Sequence, residues 1–551
     1  MTLPSQGAAH GAVFGTLGFF LIVTLIVGRK GLISKFDLDS YMSARNTQSA
    51  LSLSLSFFAS NAGAWVLFTV PEAAILGGPI AILGYALSCV FPLMIFRSVA
   101  PALRRNLPFG ITFFEFVQKR YGTVVNVYVS LTAAFYMFLY LAAEFTSVGS
   151  CIALLSGSDG LAAIVGTSIV TLVYTSVGGL PVSLVTDRVQ GVGVLIFTVL
   201  VVMAAIGYGM YPNYTDLATA QAASTMWATV TSWGAGGSCG DPPNAGSAFS
   251  MAIVLIIAVT SANLMHTGFQ QRLWAAQSSE AVKQGLVGAT ILTIPFIFVF
   301  GFIGMIAFAN FQYGLFAPDY VAFLAAFFVV GGAPTGWQVL AIMLAVMMVA
   351  SSADTIQAGL SGLLTPMIDR GLAYAKGGGG GGEGEGEGAA SKAAPMLALG
   401  INLAITVGIN IAAIVLATQG ISVLTLFVLA DLLCATCAAP VIMGLSEKVH
   451  PIAALCGCVA GLVTTLIVYG VGSPGCGEGG NFEMLFAPGG LYKTTSLVAF
   501  LLTPTVSAIT TALVALPFYL SGYKFEGFKA AEGEQPAVKM STVEVATTSS
   551  A

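Results

Sequence analysis

The sequence predicts an all-α integral membrane protein of about thirteen transmembrane helices, on three observations. Only 8% of its 551 residues are charged, against roughly 25% in soluble domains. Apolar residues make up 56% of the chain. Uninterrupted apolar windows of about 19 residues recur along nearly its whole length. No soluble fold suits a chain this poor in charge, and in lipid only helices or closed barrels satisfy every backbone N–H and C=O. Runs of about 20 apolar residues match one helical crossing of a hydrocarbon core roughly 30 Å thick.

The first windows fall near residues 10–28, 50–72, 78–100, 124–154, 161–179 and 184–208. The rest fall near 247–271, 286–310, 336–365, 394–418, 420–445, 451–471 and 496–520. An odd number of crossings puts the termini on opposite sides. With the N-terminus outside, every Lys and Arg except Lys493 falls on the inner side, as the positive-inside rule requires. The first window is followed by Arg29 and Lys30 and preceded by no basic segment, the pattern of a retained helix and not of a cleaved signal peptide. The C-terminus is then cytoplasmic, and the plasma membrane is the expected location.

Four regions follow. Residues 1–49 hold the first helix and a cytoplasmic loop, 50–445 the main bundle, 446–523 two peripheral helices and 524–551 a disordered cytoplasmic tail. Inside the bundle, about 371–393 is a linker that reads GGGGGGEGEGEG at 377–388 and has nothing apolar to bury. The outer loop near 209–246 carries Asp216 and Asp241 and no Lys or Arg. Its Asn213-Tyr214-Thr215 is a glycosylation acceptor only in a eukaryotic host. Cys239 and Cys476 are the cysteines of the predicted outer loops, and a disulfide between them is an expectation. Cys434, Cys437, Cys456 and Cys458 lie in apolar runs as small core residues. Nothing resembles a basic nucleic-acid footprint or a nucleophile, base and oxyanion arrangement, so the chain reads as neither a nucleic-acid binder nor an enzyme. No segment specifies an oligomeric state.

Polar residues inside apolar runs mark where chemistry sits. Ala59-Ser60-Asn61-Ala62-Gly63-Ala64-Trp65 interrupts the second window, and Thr260 to Gly268 interrupts the seventh, five windows later. Paired broken helices free backbone groups for ions and solutes, while close packing by small residues is the plain alternative. In the ninth window, Ser351, Ser352, Asp354 and Thr355 supply the hard oxygens that a sodium ion prefers, or hydroxyls bonded back into their own helix. Ionisable residues in lipid are costly and point to function. Glu72, Glu144, Asp187, His266, Asp354 and Asp431 are the candidates, Glu72 and Asp187 lying near helix ends where interfacial water also explains them. Glu144, Ser147 and Cys151 form one helical stripe. His266 is able to carry a proton, or to sit neutral and hydrogen-bonded.

At these residues the chain resembles the sodium/solute symporter family, which includes sodium-coupled sugar, proline and urea-type carriers, over roughly residues 37–450. Asp39 to Arg45 resembles its D-x-x-x-A-G-R motif, with Ala44 at the glycine position. Tyr174-Thr175-Ser176-Val177-Gly178-Gly179-Leu180 followed by Thr186-Asp187-Arg188-Val189-Gln190 resembles its Y-T-x-x-G-G-L…T-D-x-x-Q signature. Gln271 to Ala276 resembles Q-R-x-x-A-A, and Ala439 to Leu445 the end of the eleventh helix. The resemblance implies a LeuT-like core of two inverted five-helix repeats, helices 2–6 and 7–11, with three peripheral helices. It implies a sodium ion held by carbonyls of Ala59, Ala62 and Met348 and hydroxyls of Ser351 and Ser352, with Asp187 on the inward ion path. It places Asn61, Trp65, Glu144, Asn263, His266 and Asp431 on the substrate side. Glu144 and His266 stand where sugar carriers show neutral amides, which points away from a sugar, and Asn61 stands where the proline-carrier pattern has Asp.

The function so implied is secondary active symport of a small polar solute, coupled to the sodium gradient by alternating access. The alternatives are a proton-coupled symporter of urea or another small nitrogenous solute, with the proton as coupling ion, and a transporter-like solute sensor. The expected partners are the solute and membrane lipid.

Overall fold

The computed structural model describes residues 4–33, 38–209, 245–311, 324, 332–375, 393–473, 478–480, 482 and 493–525. The sequon at Asn213, Cys239, Cys476, the glycine-rich linker and the tail from residue 526 lie outside the described residues.

Helix α1 (Gln6–Ile33) is the first crossing and short α2 (Leu38–Ser43) follows it. The second crossing is made of two pieces, α3 (Ala50–Asn61) and the first part of α4 (Val66–Asn106), which meet at 67°. Ser49 caps α3 by accepting the Ser52 N–H at 3.3 Å, and helical geometry ends at Ala62 (φ −88°, ψ 60°). Gly78 (φ 59°, ψ −154°) turns the chain into the third crossing within α4, ahead of Pro79. This positive φ suits only a residue without a Cβ, and Pro79 starts the next helix at no hydrogen-bond cost.

Helix α5 (Phe113–Tyr121) leads into α6 (Thr123–Ser156), the fourth crossing. Helix α7 (Leu161–Gly209) holds the fifth and sixth, divided at Gly179 (φ 58°, ψ −157°). A Cβ at Gly179 would strike the Tyr41 carbonyl and ring, so the G-G pair of the signature is a turn packed on α2. The seventh crossing is again broken: α8 (Ala245–Met265) stops, His266 is extended (φ −74°, ψ 98°), and α9 (Thr267–Ala275) resumes. The remaining crossings are α10 (Ser279–Phe311), α11 (Thr335–Ala375), α12 (Ala393–Ala417), α13 (Val423–Met443), α14 (Pro451–Val471) and α15 (Thr494–Leu520). Eleven described helices are long and apolar enough to cross a membrane, and the bent pair of α3 and the first part of α4 makes a twelfth span. Dividing α7 at Gly179 gives thirteen, the number of apolar windows, with both breaks inside the polar interruptions. Two-residue strands β1 (Gly472–Ser473) and β2 (Glu478–Gly479) form a small antiparallel pair after α14.

Outer helices present large apolar side chains outward, such as Leu513 and Leu516 on α15 and Ile467 on α14, as a lipid-facing surface demands. Polar side chains turn inward. Where no partner helix offers an acceptor, hydroxyls such as Ser60 and Thr146 donate to the carbonyl one turn back, at 2.7 and 2.9 Å, which satisfies them within their own helix.

One end of the bundle is sewn shut around the start of α3 and the end of α9. Thr47 and Gln48 N–H both donate to the Ala275 carbonyl at 2.9 Å, and Gln277 N–H returns the bond to Gln48 at 2.9 Å. Arg104 donates to the Leu273 carbonyl and, at 3.0 Å, to the Asn46 amide oxygen. Trp274 Nε1 donates to the Leu107 carbonyl at 2.7 Å. Two basic residues assigned by the charge rule to the inner face prove to be interior, Arg272 fully buried and Arg120 2% exposed. A guanidinium with five donors is tolerated there because carbonyls and a carboxylate surround it; Arg120 alone reaches the Gly444, Ser446 and Val449 carbonyls at 2.7 to 2.9 Å.

Candidate solute and cation sites

Both helix breaks open onto one cavity. Five aromatic rings line it, those of Trp65, Tyr85, Tyr136, Tyr140 and Phe427. Trp65 stacks on Tyr85 (centroids 5.5 Å apart, 19°) and meets Phe427 edge-on at 5.9 Å, while its indole N–H donates to the Tyr140 hydroxyl at 2.9 Å. The polar remainder of the lining is the side chains of Asn61 and Asn263, one at each break, and the Asp431 carboxyl from α13. Asp431 is 3% exposed. Neither of its oxygens makes a hydrogen bond with the described residues, a costly arrangement for a buried carboxyl unless a ligand completes it. The room open to a water-sized sphere is about 20 Å³, enough for one water molecule, so admitting a solute requires the rings to part.

Four of the substrate-side residues expected from the sequence, Asn61, Trp65, Asn263 and Asp431, are thus brought together. Glu144 and His266 are not on the lining. Glu144, on the same face of α6 as Tyr136 and Tyr140, reaches past the cavity into the break of the second crossing, where Oε2 accepts the Ala64 N–H at 2.9 Å and Oε1 makes no hydrogen bond among the described residues. His266 lies flat on Phe269 (4.3 Å, 10°) and edge-on to Tyr140 (5.6 Å, 89°), with neither ring nitrogen hydrogen-bonded among the described residues. Tyr85, Tyr136, Tyr140 and Phe427 are lining residues that sequence reasoning missed. The i, i+4, i+8 spacing of Tyr136, Tyr140 and Glu144 was the available signal, since it aligns them on one helix face.

The residues expected to hold sodium lie on α3 and α11 and are not among those lining the cavity. Ala59 and Ala62 straddle the end of α3, and Met348, Ser351 and Ser352 occupy the facing stretch of α11, all buried. Ser352 Oγ donates to the Met348 carbonyl at 3.2 Å and Ser351 Oγ donates to Asp187 Oδ1 at 2.9 Å. Each hydroxyl proton is committed elsewhere, which leaves oxygen lone pairs for a cation. The chemistry of this donor set, carbonyls and hydroxyls, fits a hard monovalent ion.

Asp187 does not owe its charge to interfacial water. It is fully buried, paired with Arg272 at 2.6 Å, and it accepts from Ser56 Oγ at 2.6 Å. Arg272 in turn donates to Ser56 Oγ (2.8 Å), Thr355 Oγ1 (2.7 Å) and the Gly268 carbonyl (2.5 Å). Four elements, α3, α7, α9 and α11, meet in this network. Asp354 joins the edge of this network through Thr355, whose hydroxyl donates to it at 3.3 Å, and it accepts further bonds from Ser183 and Thr186 at 3.0 and 3.1 Å. Tyr174 of the signature motif donates to the Ala350 carbonyl at 2.8 Å, pinning α7 to α11 one residue before Ser351.

Comparison with known proteins agrees with this architecture. A sodium-coupled sialic acid symporter, solved substrate-bound and outward-open, superposes with a TM-score of 0.68 at 17% identity, covering 93% of this chain and 98% of the other. Mhp1, a nucleobase-cation-symport-1 family transporter in a closed conformation, gives a TM-score of 0.50 at 14% identity, covering 87% and 95%. These likenesses establish the LeuT-like fold, with the broken second and seventh crossings opening its two inverted five-helix repeats. A spermidine transporter of Candida albicans, DUR31, is 27% identical over 305 residues, 55% of this chain and 54% of that protein, so the chain spans about half the length of this curated relative. The sodium:solute symporter family profile matches residues 41–363, more than half of the sequence and all of the region that carries both breaks and the Asp187–Arg272 network. The chain belongs to the sodium:solute symporter family.

Proposed function

We propose that this protein is a sodium-driven symporter for a small organic cation. The observation that carries the reading is the cavity itself: a buried carboxyl, Asp431, that makes no hydrogen bond among the described residues, at the edge of a box of five aromatic rings. Ring faces attract ammonium groups by up to about 2 kcal/mol when desolvated, and a carboxylate supplies the remaining charge. A neutral solute leaves Asp431 uncompensated, and an anion is repelled by it. The Candida albicans relative bears the name of a transporter for spermidine, a polyamine.

In this reading, sodium enters first between the carbonyls of Ala59 and Ala62 and the oxygens of Met348, Ser351 and Ser352. It orders the end of α3, which also presents Asn61 and Trp65 to the solute. One segment thus serves both sites, and a ligand that fixes it for one lowers the ordering cost for the other. The solute parts Trp65, Tyr85 and Phe427, its cation settles against Asp431, and the rings reclose. Release on the other side requires the sewn end around Thr47, Arg104 and Trp274 to open. The distribution of Lys and Arg supports an orientation with the N-terminus outside and that sewn end facing the cytoplasm.

The test is ligand stabilisation of the purified protein in sodium. Spermidine or a monoamine is expected to raise thermal stability, by about 2.7 kcal/mol at a hundredfold excess over Kd, while urea, a sugar and sialic acid do not. Stabilisation by a neutral solute with no response to any amine contradicts the proposal.

A further inference from the structure

The break in the second crossing is filled from the side. Where a membrane helix is interrupted, the N–H groups that open its second half attract negative charge, and in transporters this end commonly receives an anionic group of the solute. In this protein the negative charge comes from the chain. Glu144 reaches across from α6, and its Oε2 accepts the Ala64 N–H at 2.9 Å, just before α4 begins at Val66. The carboxyl lies so close to Gly63 that a Cβ there would overlap both Oε1 and Cδ. Glu144 is fully buried, and Oε1, aimed at the break, makes no hydrogen bond among the described residues, with the Ser352 hydroxyl of α11 the nearby donor group beside the carboxyl. The surrounding charged and titratable groups leave it so. Arg272 is engaged by Asp187, Asp354 is held by Ser183 and Thr186, His266 lies on Phe269, and Asp431 stands across the cavity.

We infer that Glu144 is a specificity-determining residue: a tethered carboxylate that occupies the seat a solute's own carboxylate would take, so that the site rejects anionic and zwitterionic solutes. The seat is filled sterically, because the Gly63 notch holds the carboxyl, and electrostatically, because a second carboxylate would sit beside the first. Rejection is an element of specificity in its own right, and it deepens the organic-cation reading above, on which it rests for the nature of the accepted solute.

Two variants of the full chain in nanodiscs test it. Glu144→Ala empties the seat. Acetate, compared with chloride at equal ionic strength, is expected to raise the thermal stability of Glu144→Ala by a few degrees and to leave the parent protein unmoved. Labelled spermidine is expected to bind the variant about tenfold or more weakly and to recover when acetate is added. No acetate-specific stabilisation of the variant, or equal stabilisation of the parent, overturns the inference. Glu144→Gln keeps an acceptor for Ala64 and so protects the fold while removing the charge. Ornithine differs from putrescine by a carboxylate, and its strength as a competitor relative to putrescine is expected to rise about tenfold in this variant; an unchanged ratio contradicts the inference. The acetate arm needs no transported solute. A parent protein blind to every amine therefore defeats the organic-cation reading and leaves acetate to decide the seat.

Discussion

Arg272 on α9 and Asp187 on α7 meet at 2.6 Å with neither side chain reaching solvent, 85 residues apart in sequence. Their partners Ser56, Ser351 and Thr355 belong to α3 and α11, so the pair joins both broken crossings to the helix that faces the proposed sodium site. A buried pair is costly to half-remove, because the surviving charge is left without compensation.

Asp187→Ala is therefore expected to destabilise the purified protein by about 3–5 kcal/mol, seen as a lower midpoint of thermal unfolding in detergent. Asp187→Leu combined with Arg272→Met removes both charges and is expected to recover most of that loss without restoring sodium-coupled uptake. Equal stability of Asp187→Ala and the parent would show that the pair is not needed for the fold.

Ser351→Ala with Ser352→Ala removes two proposed sodium ligands and is expected to leave the helix intact, since Ser352 bonds back into its own turn and Asp187, which loses the Ser351 hydroxyl, keeps Arg272 and Ser56 as partners. A hydroxyl bonded to a charge contributes about 1.5–3 kcal/mol, so the sodium concentration for half-maximal uptake is expected to rise at least about tenfold, with membrane insertion unchanged. Unaltered sodium dependence removes these residues from the site.

Asp431→Asn keeps shape and removes the cavity's charge. Loss of one partner of a buried charge pair costs about 2–5 kcal/mol, so the Kd for an amine is expected to rise about thirtyfold or more. Isothermal titration of the two proteins with spermidine measures it; a change of less than about twofold separates Asp431 from recognition.

Gly63→Ala places a methyl where Glu144 and Trp65 already lie. Overpacking of this kind costs about 1–3 kcal/mol, and here it also displaces the carboxyl from Ala64. Solute binding is expected to fail in Gly63→Ala and to return in part when Glu144→Asp shortens the opposing side chain. Normal binding by Gly63→Ala alone argues that the break has more freedom than its geometry implies.

The fold was legible because its devices are local. Thirteen apolar windows give thirteen crossings, and the amide-bearing, small-residue stretches at 59–65 and 260–268 contain the points where α3 and α8 end. The signature around Gly179 was readable as well, and the structure supplies its reasons: a left-handed turn against Tyr41 and a hydroxyl, Tyr174, that reaches Ala350. The site was legible only in part. Arg272 follows an apolar run like any inner-loop base, and nothing local says that it turns inward to a carboxylate far along the chain. Tyr85 and Phe427 look like any aromatic in a lipid-facing run, because cavity and lipid sides of a helix differ only once the neighbours are in place. Glu144 was read as a cavity carboxylate, and the structure carries it beyond the cavity because the notch at Gly63 and the Ala64 N–H offer a better-fitting acceptor site.

The central claim is sodium-driven transport of an organic cation, and the most direct measurement is uptake of labelled spermidine into proteoliposomes holding the purified protein, with sodium and pH gradients imposed separately. The account predicts accumulation against a spermidine gradient when sodium is directed inward, none with a pH gradient alone, and inhibition by other amines but not by urea. Accumulation driven by the pH gradient and indifferent to sodium, or uptake of urea in preference to amines, would contradict it.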